Sequence, residues 1–345
     1  MKAIVKAQKE KGLELREMEI PQPGKGEVLV KIKAAAICGS DIKIYKWDAF
    51  AQSIIHSLPF ITGHECAGEV VEVGEGVENI QVGDKVASET HIPCGQCWQC
   101  THGRPHTCEN MKLFGHNVNG CFAEYAVIPE VSTRKIPSSL TFEEGCMLEP
   151  MGIPYRAVEK GEVEKEAVVV VGCGPIGQFA IGFSHTMGAG QIIAVDVNEE
   201  RLKIAKTMGA HYLLNPGKEK VKERIKELTQ DWGKGPGVVI EASGNVSALR
   251  EALDYLRVGG KLLILGQSTD PLEVRVSPDI VFKEAEIYGF FGRKIWDTWE
   301  KTEKLLVEGK MKVDPVITHR FSLDEYEIAF EKAVKGEGGK IVFLP

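Results

Sequence analysis

Hydrophobic and polar positions change rhythm once along this chain. The first half carries short strand-like runs broken by glycine: Glu27 to Lys33, Gly68 to Val73, Asp84 to Ser88 and Cys121 to Ile128. Short runs between turn residues are the pattern of a mainly β domain. The texture changes near Glu149-Pro150-Met151-Gly152. Beyond it, Ala167 to Val171 is a continuous apolar run, as in a parallel strand covered on both faces. Five more such runs follow: Ile192 to Val195, Tyr212 to Leu214, Val238 to Ile240, Leu262 to Leu265 and Ile287 to Phe290. Helical stretches separate them. In Arg201 to Met208, Leu202, Ala205 and Met208 recur three apart and fall roughly on one face. About six strands with helices between them predict a doubly wound α/β sheet. The alternation stops around Trp296, and the strand-like end at Lys340 to Leu344 is expected to rejoin the first domain. The expected division is 1–153 with 295–345, and 154–294.

Chemistry enters first at Gly172-Cys173-Gly174-Pro175-Ile176-Gly177. The string follows an apolar strand and precedes the helix-like stretch Gln178 to Met187. Glycines there permit a tight turn and close approach of backbone to a pyrophosphate, which the helix N-terminus attracts. Asp196 ends the next strand, where a carboxylate accepts hydrogen bonds from the adenosine ribose hydroxyls and repels a 2′-phosphate. The expectation is NAD rather than NADP. Arg201, five residues on, is either a partner of the adenosine or a solvated helix charge.

The second signal is Cys94-x2-Cys97-x2-Cys100-x7-Cys108. Four soft ligands at short spacings suit a closed tetrahedral Zn²⁺ site whose role is to fold a loop. Cys38, His64, Glu65 and Glu149 have no local spacing that joins them.

Totals narrow the partners. The 345 residues suffice for two cores, and 43% hydrophobic with 26% charged residues is an ordinary globular mixture. A net charge of -7 argues against a generic nucleic-acid surface. No apolar run reaches membrane-spanning length, and Met1-Lys2-Ala3 leads into a polar stretch without a signal-peptide pattern. A small-molecule substrate, no membrane and a cytoplasmic location are the expectation. Four of nine cysteines crowded into one short loop fit metal binding in a reducing compartment.

Taken together, the sequence resembles the zinc-containing medium-chain dehydrogenases, the alcohol and polyol dehydrogenase superfamily. Gly63-His64-Glu65-x2-Gly68-x5-Gly74-x2-Val77 carries the resemblance, with Cys38-Gly39-Ser40-Asp41, the four-cysteine loop and Val82-Gly83-Asp84-Lys85-Val86 in family order. It implies a GroES-like mainly β catalytic domain, a Rossmann domain, two zinc ions per chain, NAD and a homotetramer. In the family, positions matching Cys38 and His64 bind catalytic zinc, and Glu149 matches the third ligand of the polyol and threonine branches. Glu65 matches a residue beside the metal that exchanges with water or a ligand. The threonine branch is the most similar, through Ile44-Tyr45-Lys46-Trp47-Asp48, Ser88-Glu89-Thr90-His91-Ile92 and Ile317-Thr318-His319-Arg320-Phe321-Ser322. That branch oxidises the secondary hydroxyl of L-threonine to 2-amino-3-oxobutanoate. Ser40 would take the alcohol proton. Lys43 stands where the branch places a relay His, and Ile153 where it places Asn. His91 either orients the substrate's polar groups or satisfies buried backbone. A polyol or sugar acid as substrate, and a zinc- and dinucleotide-binding protein without turnover, are the alternatives.

Overall fold

A computed structural model describes residues 1–345. The chain divides into two compact units, Met1–Pro150 with Gly292–Gly309 and Ile317–Pro345, and Met151–Phe291 with Lys310–Val316. Lys310–Val316 thus groups with the second unit, although the sequence reading placed it in the first domain. The segment supplies Met311, whose thioether end meets the helix face at Gly182, and Lys310, whose carbonyl accepts the Thr186 hydroxyl.

The first unit is built on Glu27–Ala36, a strand long enough to pair with three others. Glu65–Val73, Tyr125–Pro129 and Lys340–Phe343 all run antiparallel to it. The sheet continues through Lys85–Ser88 to Thr133–Lys135 on one side and through Lys340–Phe343 to Ile317–Phe321 on the other. The chain's end therefore does return to this sheet, with Val342 opposite Ala36 and Phe343 opposite Ala35. Alternate residues of the central strand, Val28, Val30 and Ile32, enter a core with Phe122, Phe330 and Phe343. The rings of Phe122 and Phe343 meet edge-on with centroids 5.2 Å apart, a favoured aromatic geometry.

The second unit is a six-stranded parallel sheet. In spatial order its strands are Tyr212–Leu214, Gln191–Val195, Ala167–Val171, Val238–Glu241, Lys261–Ile264 and Glu286–Gly289. All five residues of Ala167–Val171 are buried, as a strand covered on both faces requires. This strand has Gln191–Val195 on one side and Val238–Glu241 on the other, so strand order reverses about it. Ligands of such sheets bind beyond the carboxyl ends of the strands at that reversal. The helix Glu199–Thr207 begins at Asn198, whose side chain accepts the N–H groups of Glu200 and Arg201. Leu202, Ala205 and Met208 are buried on its inner face.

Candidate metal and cofactor sites

In the second unit the glycine turn sits at the strand-order reversal, directly after Val171. The helix Pro175–Thr186 follows, with proline in its first turn, where the missing N–H costs no hydrogen bond. A Cβ on Gly177 would lie 1.9 Å from the Gly172 carbonyl oxygen, so only glycine allows the helix this close to the turn. Gly174 faces Arg201, whose Nη1 lies 4.0 Å from where a Cβ would stand. The buried Arg201 Nε has no hydrogen-bond partner. A cavity of about 500 Å³ opens here, lined by Gly172, Gly174, Asp196, Arg201 and Ser243 among others. A glycine cradle, a cavity and an unpaired guanidinium N–H fit the pyrophosphate and adenosine of a dinucleotide.

Asp196 has a second job. Its Oδ2 accepts the Cys173 N–H at 2.6 Å and its Oδ1 accepts the Asn198 N–H at 2.8 Å. The carboxylate thereby pins the glycine turn to the end of its own strand. Each oxygen keeps a lone pair for another donor.

In the first unit the four loop cysteines converge, with ligand atoms all within 4.8 Å of one another. Cys97 Sγ lies 3.5 Å from Cys100 Sγ and 3.8 Å from Cys108 Sγ, and no disulfide links them. Tetrahedral Zn–S bonds of ~2.3 Å set sulfurs ~3.8 Å apart. The backbone N–H groups of Gln96 and Cys97 pull the Cys94 thiol down to about 6, while burial pushes Cys100 up to about 12. The donor set and spacing fit a structural zinc.

A second donor group joins Cys38, His64 and Glu65, again within 4.8 Å. Cys38 precedes the helix Gly39–Lys46, and its N–H donates to Asp41 Oδ2 at 2.9 Å. The other Asp41 oxygen stands 3.6 Å from His64 Nδ1, and both of those atoms lack a hydrogen-bond partner. Burial opposes protonation of His64, but Asp41 and Cys38 outweigh it and hold its pKa well above the ordinary imidazole value. Such a pocket has surplus negative charge that a divalent cation neutralises. His116 lies over His64, ring centroids 4.6 Å apart, and burial with His64 beside it pushes its pKa down to about 4. Glu65 is buried and paired to Lys340 Nζ through both oxygens.

Glu149, expected as the third ligand, is not in that group. It accepts the Thr90 hydroxyl, and Arg293 Nη2 stands 2.9 Å from its Oε1. The reason is a buried guanidinium that needs anions: Arg293 is shared between Glu149 and Glu89. Glu89 also accepts Trp299 Nε1 at 2.8 Å and His91 Nδ1 at 2.8 Å. A carboxylate only accepts, so His91 carries its proton on Nδ1, and the Arg293 nitrogen 2.9 Å away is a close neighbour rather than its donor. Burial would raise the Glu89 pKa, but Arg293 and His91 hold it well below the carboxylate range.

Ser40 and Lys43 lie on the Gly39–Lys46 helix, both half-buried, with Lys43 Nζ 4.8 Å from the Phe50 ring centre. The structure thus gathers Cys38, His64 and Glu65, gathers the four loop cysteines, and groups Asp196 and Arg201 with the glycine turn. Asp41, Glu89, His116, Arg293 and Lys340 are additions that sequence reasoning missed. Asp41, three residues from Cys38, and Glu89, two residues from His91, left a local signal, and the others did not.

Comparison with known proteins follows this division. Residues 24–138 match the alcohol dehydrogenase GroES-like domain, and residues 175–308 match the zinc-binding dehydrogenase family. The L-threonine 3-dehydrogenase of Pyrococcus furiosus is 42% identical over 345 residues, covering 100% of this chain and 98% of that protein. An alcohol dehydrogenase from E. coli CFT073, solved in complex with the cofactor NADH, superposes with a TM-score of 0.90 at 30% identity, covering 100% of this chain and 99% of that one. The 2R,3R-butanediol dehydrogenase of Bacillus subtilis gives a TM-score of 0.89 at 31% identity with the same coverage. On its motifs, its two donor groups and these full-length similarities, the chain belongs to the zinc-binding alcohol dehydrogenase family.

Proposed function

We propose that this protein is an L-threonine 3-dehydrogenase, oxidising the secondary hydroxyl of L-threonine to 2-amino-3-oxobutanoate with NAD. The observation that carries the reading is the 42% identity to the Pyrococcus furiosus enzyme of that name across the whole chain. The buried Cys38, His64 and Glu65 group supports it with a place for a metal.

Bound zinc would supply Lewis acidity to the substrate hydroxyl, and NAD would supply the hydride acceptor. Cys38, His64 and Glu65 are the resting ligands in this reading, with Glu149 beside them on Thr90 and Arg293. Asp41 holds Cys38 and His64 in their mutual orientation. Ser40 receives the hydroxyl proton while its own proton leaves. Lys43, three residues on, shares its helix face and lines the way out. His91, fixed on Glu89, orients the substrate's polar groups. Asp196 and Arg201 take the adenosine ribose, and the Asp196 charge favours NAD over NADP. The conserving alternative, a polyol or sugar acid as substrate, draws on Lys43 and Ile153 and on the similarity to a butanediol dehydrogenase.

The protein is read as a cytoplasmic homotetramer. All nine cysteines are free, which suits a reducing compartment. No helix is long and apolar enough to cross a membrane. The edge strand Glu286–Gly289 is exposed throughout, with Ile287 and Tyr288 open, and Phe282 is 74% exposed nearby. An apolar sheet edge of this kind invites pairing with another chain.

The direct test is NAD reduction by protein of measured zinc content, with L-threonine as substrate. The wild type should turn over. Cys38→Ser should lose turnover while still binding NAD. Full activity in a Cys38→Ser protein shown to lack one zinc would overturn the ligand assignment.

A further inference from the structure

His116 carries no role so far, yet it stands at the metal group. Its ring tilts 41° against His64 at 4.6 Å and meets Phe50 edge-on at 6.5 Å. It is 4% exposed. The loop that bears it is locked in place. Lys112–Leu113 pairs with His91–Ile92, and Phe114 N–H donates to the Thr90 carbonyl at 2.9 Å. A Cβ on Gly115 would lie 2.0 Å from the carbonyl oxygen of Gly63, the residue before His64. Only glycine lets these two loops press together, so His116 is held in register with His64.

The ring's hydrogen bonding is half complete. Nδ1 lies 3.2 Å from the Phe114 carbonyl oxygen. A carbonyl only accepts, so Nδ1 carries the proton, and Nε2 of the neutral ring offers a lone pair. Within the protein Nε2 makes no hydrogen bond. His116 is also outside the group whose ligand atoms lie within 4.8 Å of one another. A buried imidazole with a vacant acceptor, one ring away from a metal ligand, is placed for a donor on the substrate. Phe50, edge-on to the same ring, adds an apolar neighbour.

We propose that His116 is a specificity-determining residue whose Nε2 accepts a hydrogen bond from the substituent next to the reacting carbinol, the ammonium group of L-threonine. The inference rests on the threonine reading above. A neutral acceptor suits an ammonium, and a substrate lacking that donor leaves the acceptor unpaired, which is the strong form of discrimination.

The test is a ratio of kcat/KM values, L-threonine over 2-butanol, in zinc-loaded enzyme. His116→Phe keeps a ring for Phe50 and His64 to pack against but removes the acceptor, and His116→Leu is a second acceptor-free variant. Both should lower the ratio about tenfold or more, chiefly through KM for threonine. His116→Gln, which restores an acceptor at similar reach, should recover much of it. A ratio within twofold of wild type in either acceptor-free variant that retains two zincs would overturn the proposal. A ratio that His116→Gln fails to recover would do the same. If the wild type prefers a vicinal diol to L-threonine, the threonine reading falls, and the same ratio taken with that diol decides the role of His116.

Discussion

Asp41 and His64 face each other across 3.6 Å in the interior, carboxylate oxygen to ring Nδ1, while the second Asp41 oxygen holds the Cys38 N–H. One side chain thus sets two donors that lie twenty-six positions apart in sequence. A carboxylate behind a ligating histidine fixes the ring and raises its basicity, and losing it costs roughly 10–100-fold in metal affinity. Asp41→Asn should therefore release one zinc to a competing chelator at roughly 10–100-fold lower chelator strength. The second zinc should be unaffected. Identical release curves would remove Asp41 from the account.

The four-cysteine loop makes a separate prediction. Cys100→Ser should lower zinc content by about one ion per chain and lower Tm, because metal binding contributes to folding of such loops. Zinc content equal to wild type, measured by atomic absorption, would contradict a site on Cys94, Cys97, Cys100 and Cys108.

Glu89 gathers Arg293, Trp299 and His91 in the interior, and Glu89→Gln should destabilise by about 3–5 kcal/mol at neutral pH, since Arg293 loses a buried partner. The pH dependence has a definite sign. The folded pKa of Glu89 lies below its unfolded value, so its contribution is fully present above the ordinary carboxylate range. It is lost as pH falls through that range toward the folded pKa. The stability gap between wild type and Glu89→Gln should shrink between pH 6 and pH 3. A gap that widens on acidification would show that Glu89 is not the buried anion described here.

Asp196 both braces the glycine turn and lines the cavity beside it. Asp196→Ala should raise KM for NAD and shrink the preference over NADP. Asp196→Asn should retain more NAD affinity, because its amide oxygen still accepts one backbone N–H. Equal use of NAD and NADP by the wild type would refute the charge argument.

The inner strands of the parallel sheet were legible because they are buried on both faces, so the run of apolar residues is its own signal, whereas the edge strand Glu286–Gly289 is apolar in part yet exposed. Ala167–Val171 and Val238–Glu241 show this most plainly. The zinc loop was legible because its ligands are close in sequence. The polar interior was not. Arg293 reaches Glu89 across 204 positions, and Lys340 reaches Glu65 across 275. No periodicity records such pairs, since what joins them is the requirement that a buried charge find its opposite. Glu149 shows the consequence: resemblance makes it a ligand, and the folded chain also gives its Oε1 to Thr90 and Arg293, partners that no local pattern announced. Lys310–Val316 slipped for a similar reason, since its grouping depends on Met311 and Lys310 meeting the Pro175–Thr186 helix.

The central claim is the substrate, and a comparison of kcat/KM for NAD reduction tests it most directly. L-threonine, 2R,3R-butanediol, a sugar alcohol, a sugar acid and 2-butanol would be measured on one preparation carrying two zincs per chain. The account predicts L-threonine highest, with 2-butanol lower by several orders of magnitude because it leaves the site's polar groups unpaired. A polyol or sugar acid with a much higher kcat/KM than L-threonine would contradict it.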